Sequence, residues 1–540
     1  MYSTSKGHGR QINVRNLGEK YYLDSVNSLV DWLAKKHYLE VKLDFEKQKL
    51  SAHSIINIEN RSNWHVPLLI ALNKRAKVSR VLFNKEKVDF TEKVEKLDSR
   101  VLADYKVIDP RKNLAPREEC ILEVEYTGPI EDLGENILDE TYIFRLENLW
   151  YPVNAKTPLL DYQAPQTTYE LKVCTSPGYT ALAAGELVKR KSTDGMEMHY
   201  FSLDKPSPLV LVVGKYHLIS SDRIVCGVFT KHRECATEIL NKAQSALNEL
   251  EKLFQRLPYT AIYVVEGLEY TVHNLILIDY DILDKYYRKA LDSYILEKTL
   301  LKLLAKCYWG GLVHVNKFSP GAFWINDSLP EYIAYTILKK KYPERTSAQL
   351  NKTISEYLAK TTEEEKPLAE IALEKIDSKI PQVAKARGLA LHYMLNRFMR
   401  EDYFKALSAL LEKYSWKTVN IEKFTKYFTK HYPRTKWFFE DWLYSNALPL
   451  YKLKLVDLVN VANDWYLGFK IINEHLGRAP LDVVVKTEKD IVRRRVWVGS
   501  KDYKKVVFRL RSKPIEVLID PEHKIIKHPL SETKLLLKEK

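Results

Sequence analysis

Metal-assisted chemistry asks for imidazoles, thiolates or carboxylates at fixed spacing, and a helix offers them one turn apart, at i and i+4. The chain has 14 histidines, and no two of them stand four residues apart. Its five cysteines, Cys120, Cys174, Cys226, Cys235 and Cys307, form no C-x-x-C pair. They read as buried thiols of a reducing compartment rather than as metal ligands or a redox disulfide. The densest charge asymmetry lies further on. Arg493, Arg494, Arg495, Lys501, Lys504, Lys505, Arg509, Arg511 and Lys513 face the single acid Asp502, with Trp497, Tyr503 and Phe508 interleaved. On an alternating strand Arg509 and Arg511 share one face, while Phe508 and Leu510 point to the core. Two readings stand: an anion-docking surface for nucleic acid or an acidic protein, or the solvated outer face of a sheet whose aromatics are core. No helix-turn-helix, zinc-finger, RRM or KH pattern accompanies it.

The elements that must position such groups follow from hydrophobic period. From Tyr38 apolar and polar residues alternate, as in Leu39, Val41 and Leu43, and strand-like runs continue to about Ser220. Before them, Leu23, Val26, Leu29, Val30 and Leu33 fall on one face of an expected leading helix over Tyr22 to Lys36. After Asp222 the step changes to three and four residues, at Ile239, Leu240, Ala243, Leu247 and Leu250. A strand over Ala261 to Val265 then precedes helical stretches at Leu291 to Trp309, Ile333 to Lys340, Val383 to Met399 and Tyr403 to Lys413. Alternation returns beyond Leu448-Pro449. The expected organisation is therefore β, α, β, with domains over 1–221, 222–446 and 447–540, and no internal repeat.

A chain of 540 residues with 45% apolar and 29% charged residues is too long for a small module. It is also too apolar and too poor in glycine and proline to be disordered or collagen-like. The net charge of +15 is modest at this length. Met1 to Arg10 is polar and basic, and no apolar run reaches the ~18 residues of a membrane span. The expected location is cytoplasmic, with no cleaved leader and no membrane span.

The segments His37-Tyr38-Leu39-Glu40-Val41, Leu50-Ser51-Ala52-His53, Leu149-Trp150-Tyr151-Pro152, Tyr308-Trp309-Gly310-Gly311-Leu312-Val313 and Trp324-Ile325-Asn326-Asp327, taken in order, resemble the aminopeptidase N family of zinc metallopeptidases. His37-Tyr38-Leu39-Glu40-Val41 and Leu50-Ser51-Ala52-His53 are similar to the family's opening strand and turn. Leu149-Trp150-Tyr151-Pro152 is similar to its "WyP", and Tyr308-Trp309-Gly310-Gly311-Leu312-Val313 to its "W-f-G-N-L-V". Trp324-Ile325-Asn326-Asp327 with Glu331-Tyr332 resembles "W-L-N-E-G-f-A-e-Y". The resemblance implies a multidomain α+β protein: an N-terminal β-saddle, a central thermolysin-like, mostly helical domain and a C-terminal β-sandwich.

It also implies where a zinc site of the gluzincin type belongs, and there the residue types fail. The two histidine positions hold Lys302 and Lys306, and the general-base position holds Leu303. An ammonium has no lone pair for a metal, and a leucine accepts no proton. Asp327 takes the third-ligand position, on a longer connection than the family's, and Lys385 takes that of the oxyanion-binding tyrosine. Of the amine-binding "GAMEN" segment, Glu266-Gly267-Leu268-Glu269-Tyr270 keeps Glu269 alone, either a relic of amine binding or a plain surface carboxylate. A register through Val272-His273-Asn274-Leu275 loses even that. A metal held instead by His273, His314, Asp327 and Cys307 has no support in their spacing.

Cations in two former ligand positions suggest a replacement for the missing dication, with Lys302 or Lys306 pairing with Asp327 or Glu331. The alternative is that both lysines face water on an amphipathic helix. The expected function is an aminopeptidase-like pseudoenzyme with no catalytic residues and no cofactor, serving as a protein-interaction or peptide-binding scaffold. Two other classes stay open: an active zinc aminopeptidase with unorthodox ligands, and a nucleic-acid-associated factor using the basic C-terminal stretch.

Overall fold

In the computed structural model the described residues are 32–95, 104–138, 140–157, 167–193, 195–315, 319–360, 366–372 and 382–537. Helices and sheets mix along the chain in an α+β arrangement. Two compact units divide between Lys215 and Tyr216.

The first unit is built on one sheet of eight strands: β1 (Leu33–Asp44), β2 (Lys49–Glu59), β3 (Lys77–Phe83), β4 (Glu86–Lys87), β5 (Glu119–Pro129), β6 (Thr167–Thr175), β7 (Glu186–Thr193) and β8 (Met196–Ser207). Their order is β7-β8-β6-β1-β2-β5-β3-β4, and β1 runs parallel to β6. Along β2, Leu50, Ala52, Ser54, Ile56 and Ile58 are buried and the residues between them are not, so period-two alternation turns one face inward. Two of the polar groups inside are matched: His37 Nε2 lies 2.6 Å from Ser54 Oγ, and the Tyr126 hydroxyl donates to the Trp150 carbonyl at 2.6 Å. Burial drops the His37 pKa to about 3, so its imidazole is neutral.

The expected leading helix is corrected at its C-terminal end. Leu33 to Lys36 open β1, between β2 and β6, and residues 22–31 lie outside the described residues. Ladder bonds to two neighbouring strands outweigh a local 3.6-residue period.

The second unit opens with a five-stranded sheet of β9 (Tyr216–Ser220), β10 (Ile224–Phe229), β11 (Ile262–Gly267), β12 (Tyr270–Val272) and β13 (Leu275–Asp279), in the order β9-β10-β11-β13-β12. β10, β11 and β13 are parallel, and β11 is buried along its whole length, which explains its unbroken apolar run before Glu266. Nine further elements position the site and its surroundings: a helix α1 (Ala236–Leu253), then α2 (Tyr280–Tyr287), α3 (Ser293–Tyr308), a π-helical turn at Trp324–Ser328, α4 (Leu329–Lys341), α5 (Pro343–Lys360), α6 (Gln382–Met399), α7 (Glu401–Tyr414) and α8 (Ile421–His431). The sequence reading marked none of α2, α5 and α8.

Two more sheets follow. One contains β14 (Tyr451–Val461), β15 (Asp464–Asn473) and β18 (Asp502–Leu510), ordered β14-β15-β18. The other contains β16 (Ala479–Thr487), β17 (Ile491–Val498), β19 (Pro514–Ile519) and β20 (Lys534–Leu536), ordered β17-β16-β19-β20. Their inward residues, among them Phe469, Phe508, Val483 and Val517, belong to the same continuous apolar core as α1, α3 and α6. No described helix is long and apolar enough to cross a membrane.

Candidate functional site

Helix α3 starts where the Asp292 carboxylate accepts the Ile295 N–H, an N-cap that fixes the first turn. Leu296, Leu300, Leu303, Leu304 and Cys307 then face the core. Lys298, Lys302 and Lys306 follow one another at four-residue steps, a stripe along one side.

Three carboxylates meet that stripe. Lys298 Nζ lies 2.8 Å from Glu331, Lys302 Nζ 2.9 Å from Glu269, and Lys306 Nζ 2.8 Å from Asp327. Glu269 also lies 3.8 Å from Lys306, so it bridges two ammonium groups. The first lysine of α3 meets the later acid and the last lysine the earlier one, so α3 and α4 run antiparallel. Lys306 therefore pairs with Asp327, while Glu331 is taken by Lys298, whose ammonium also donates to the Tyr335 hydroxyl at 3.3 Å. Leu303, at the general-base position, is fully buried in the core. Lys385 is exposed, and close enough to Asp327 to act on it electrostatically.

The protonation states follow from the opposed effects of burial and charge. Burial pushes the Asp327 carboxyl up, but Lys306, then Lys302 and Lys385, outweigh it and hold its pKa below the ordinary value of 3.8. Burial likewise opposes ionisation of Glu269, and Lys302 and Lys306 leave its pKa below the ordinary 4.5. Desolvation lowers Lys306, and Asp327 and Glu269 reverse this to leave it raised. All three are therefore ionised at neutral pH.

A pH dependence of stability follows. Carboxyls depressed in the fold stabilise it above their unfolded values and lose that contribution as pH falls through the folded ones, whereas the raised lysine loses its share only above its ordinary 10.5. The urea midpoint is expected to fall on acidification below about pH 4.5. That fall should be shallower in Lys306→Met, whose carboxyls titrate closer to their unfolded values. Equal acid limbs in the two proteins would contradict the pairing.

The π-helical turn carrying Asp327 is held from behind. The Trp324 ring stacks on His392 at 4.2 Å, its Nε1 donates to the Gly388 carbonyl at 3.2 Å, and His392 bonds the Trp324 carbonyl and the Tyr403 hydroxyl, both at 2.8 Å. Burial lowers the His392 pKa to about 3. At Gly388 a Cβ would run into the Ser328 side chain, so α6 approaches this turn closely only through glycine. Gly388→Ala is expected to cost about 1–2 kcal/mol, the overpacking outweighing the better helix propensity of alanine. Adding Ser328→Ala should restore most of it in thermal melts, because the Ser328 hydroxyl has no partner to lose.

The residues at the positions the resemblance assigns to zinc do not fit the metal. Two are ammonium groups already paired with carboxylates, and Asp327 and Glu269 are neutralised by them. The alternative set does not converge either. His273 is stacked on Trp416 with its Nδ1 3.3 Å from the Tyr259 hydroxyl, the His314 backbone pairs with Lys417 and Val419, and the Cys307 thiol lies against the Leu303 carbonyl. Among the described residues, no group of three or more His, Cys, Asp or Glu side chains could hold a metal ion.

Two features escaped the sequence reading. Lys298 extends the lysine stripe, and its signal was the same four-residue step. The other is a buried chain, in which Glu266 accepts the Phe229 N–H at 2.8 Å and sits 2.7 Å from His232 Nδ1, while His232 Nε2 lies 3.3 Å from Asp284. No spacing in the sequence announces it.

The basic C-terminal stretch divides by partner. Arg493 pairs with Glu522 at 3.3 Å, Arg495 with Asp482 at 2.9 Å and Arg509 with Asp464 at 2.6 Å. Arg494 lies over the Phe508 ring and donates to the Val507 carbonyl at 2.9 Å. Lys501, Lys504, Lys505 and Arg511 are exposed and make no ion pair among the described residues. No family model matches the chain, and no curated protein matches it.

Proposed function

We propose that the chain is a non-catalytic aminopeptidase-like protein, with β-saddle, thermolysin-like and β-sandwich parts, that works as a protein-interaction scaffold. The observation that supports this reading is the Lys306 ammonium, 2.8 Å from Asp327 and 3.8 Å from Glu269. A fixed internal cation there neutralises the acids that a zinc ion would otherwise neutralise. Hydrolysis has no general base at Leu303 and no hydroxyl at Lys385 to stabilise an oxyanion. Capture of a peptide's free amine is disfavoured as well, because Lys302 already supplies an amine to Glu269. The test is hydrolysis of a panel of amino-acid anilides by the purified full chain, with and without added zinc. No turnover above background is expected. Zinc-dependent, chelator-sensitive turnover would overturn the reading.

A further inference from the structure

We infer that the outer face of the β14-β15-β18 sheet binds single-stranded nucleic acid, a role that does not depend on the reading of the lysine–carboxylate site. Register places Lys454, Lys470 and Lys505 directly opposite one another across all three strands. The next row toward one end is Lys452, Ile472 and Tyr503, and beyond Asp457, Gly468 and Val507 on the other side comes Val459, Tyr466 and Arg509. Alternate residues of β18, Val506, Phe508 and Leu510, are buried, so Tyr503, Lys505, Val507 and Arg509 look outward.

Like charges directly opposite in a sheet destabilise it, and a surface meant only for solubility intersperses the two signs. The row of three lysines contains no acid, and Lys454 and Lys505 make no ion pair among the described residues. The neighbouring arginines differ, since Arg493, Arg495 and Arg509 each have a carboxylate. Acids stand in the neighbouring rows, Asp457 and the Glu532 that pairs with Lys452, but among the described residues none pairs with Lys454 or Lys505, and a polyanion laid across the row would. Aromatic rings share the face: Tyr503 is 55% exposed with Lys470 Nζ 4.5 Å from its ring centroid, and Tyr466 stands opposite Arg509.

Cations for phosphates beside exposed rings for bases is the pattern of single-strand binding. A duplex keeps its bases stacked, and this sheet face offers no helix to enter a major groove. An acidic peptide would satisfy the lysines but leave the rings without a stacking partner.

The experiment is fluorescence anisotropy with the full chain and three probes at low salt: a labelled oligodeoxythymidylate of about 20 nucleotides, a duplex of equal length and a polyglutamate peptide. Single-strand binding is expected to be the tightest, weakening with a log–log salt slope of ~−2 for three phosphate contacts. The double variant Lys454→Gln/Lys505→Gln should bind at least tenfold more weakly while melting at the same temperature or higher, since it removes repulsion. Tyr503→Ala should lose about fivefold or more, whereas Arg493→Gln should bind like the parent. Absence of single-strand binding at low salt would overturn the proposal. So would binding indifferent to the double variant, or duplex or polyglutamate binding of equal or greater strength.

Discussion

Replacing Glu266 with alanine is expected to destabilise the second unit by about 3–4 kcal/mol, the largest single effect anticipated from these side chains. The carboxylate is fully buried and holds together three pieces distant in sequence: the Phe229 N–H that ends β10, the His232 ring, and through it Asp284 of α2. Desolvation pushes the Glu266 pKa up, and the Phe229 N–H and His232 recover only part of that. Truncation would strand a buried N–H and a buried imidazole nitrogen and open a cavity as well. Glu266→Gln keeps an acceptor for Phe229 and offers a donor to His232, so a loss near 1 kcal/mol is expected. Denaturant unfolding of the pair separates the two readings. If alanine and glutamine cost the same, the network is not what holds these elements. Glu266 stands three residues before Glu269, so the alanine variant should also loosen the turn that brings Glu269 to the lysines.

Lys306→Met is the second. An ion pair broken in a protein interior costs ~3–5 kcal/mol and an exposed one under ~1 kcal/mol. Lys306 is 21% exposed and Asp327 41%. The discount for solvent screening places the expected loss near 2 kcal/mol, or roughly 3 °C in melting temperature for a unit of this size. The loss comes from Asp327 and Glu269, which repel each other and would keep only Lys302 and the exposed Lys385 as nearby cations. Removing the partner too, in Lys306→Met/Asp327→Leu, should bring stability back to within about 1 kcal/mol of the parent, because an apolar pair can replace an ion pair at little cost. A double variant no better than the single would show that Lys306 contributes through its aliphatic stem, not its charge.

How much of this was legible beforehand depends on the range of the contacts. The stripe of Lys302 and Lys306 was readable because a helix fixes i and i+4 on one side, and apolar residues every three or four positions marked that helix. The helices over Val383 to Met399 and Tyr403 to Lys413 and the strand at Ala261 to Val265 rest on equally local signals, and the structure has elements in each place. The leading helix failed where Leu33 to Lys36 were claimed by two strands far away in sequence. The specific partners were less accessible. Pairing Lys302 with Glu269 depends on how the β11–β12 turn meets α3, and the division of Asp327 and Glu331 between Lys306 and Lys298 depends on the antiparallel course of α3 and α4. The Glu266–His232–Asp284 chain joins residues 34 and 52 positions apart. The lysine row across β14, β15 and β18 needs the register of three strands, including a bulge between Leu455 and Asp457 that no local pattern reveals.

The most direct test of the central claim, that an internal ammonium stands in for a metal, is zinc stoichiometry by plasma mass spectrometry after incubation with excess zinc and desalting. The expected result is far below one zinc per chain, the same in the parent and in Asp327→Asn. One zinc per chain in the parent, lost in Asp327→Asn, would contradict it.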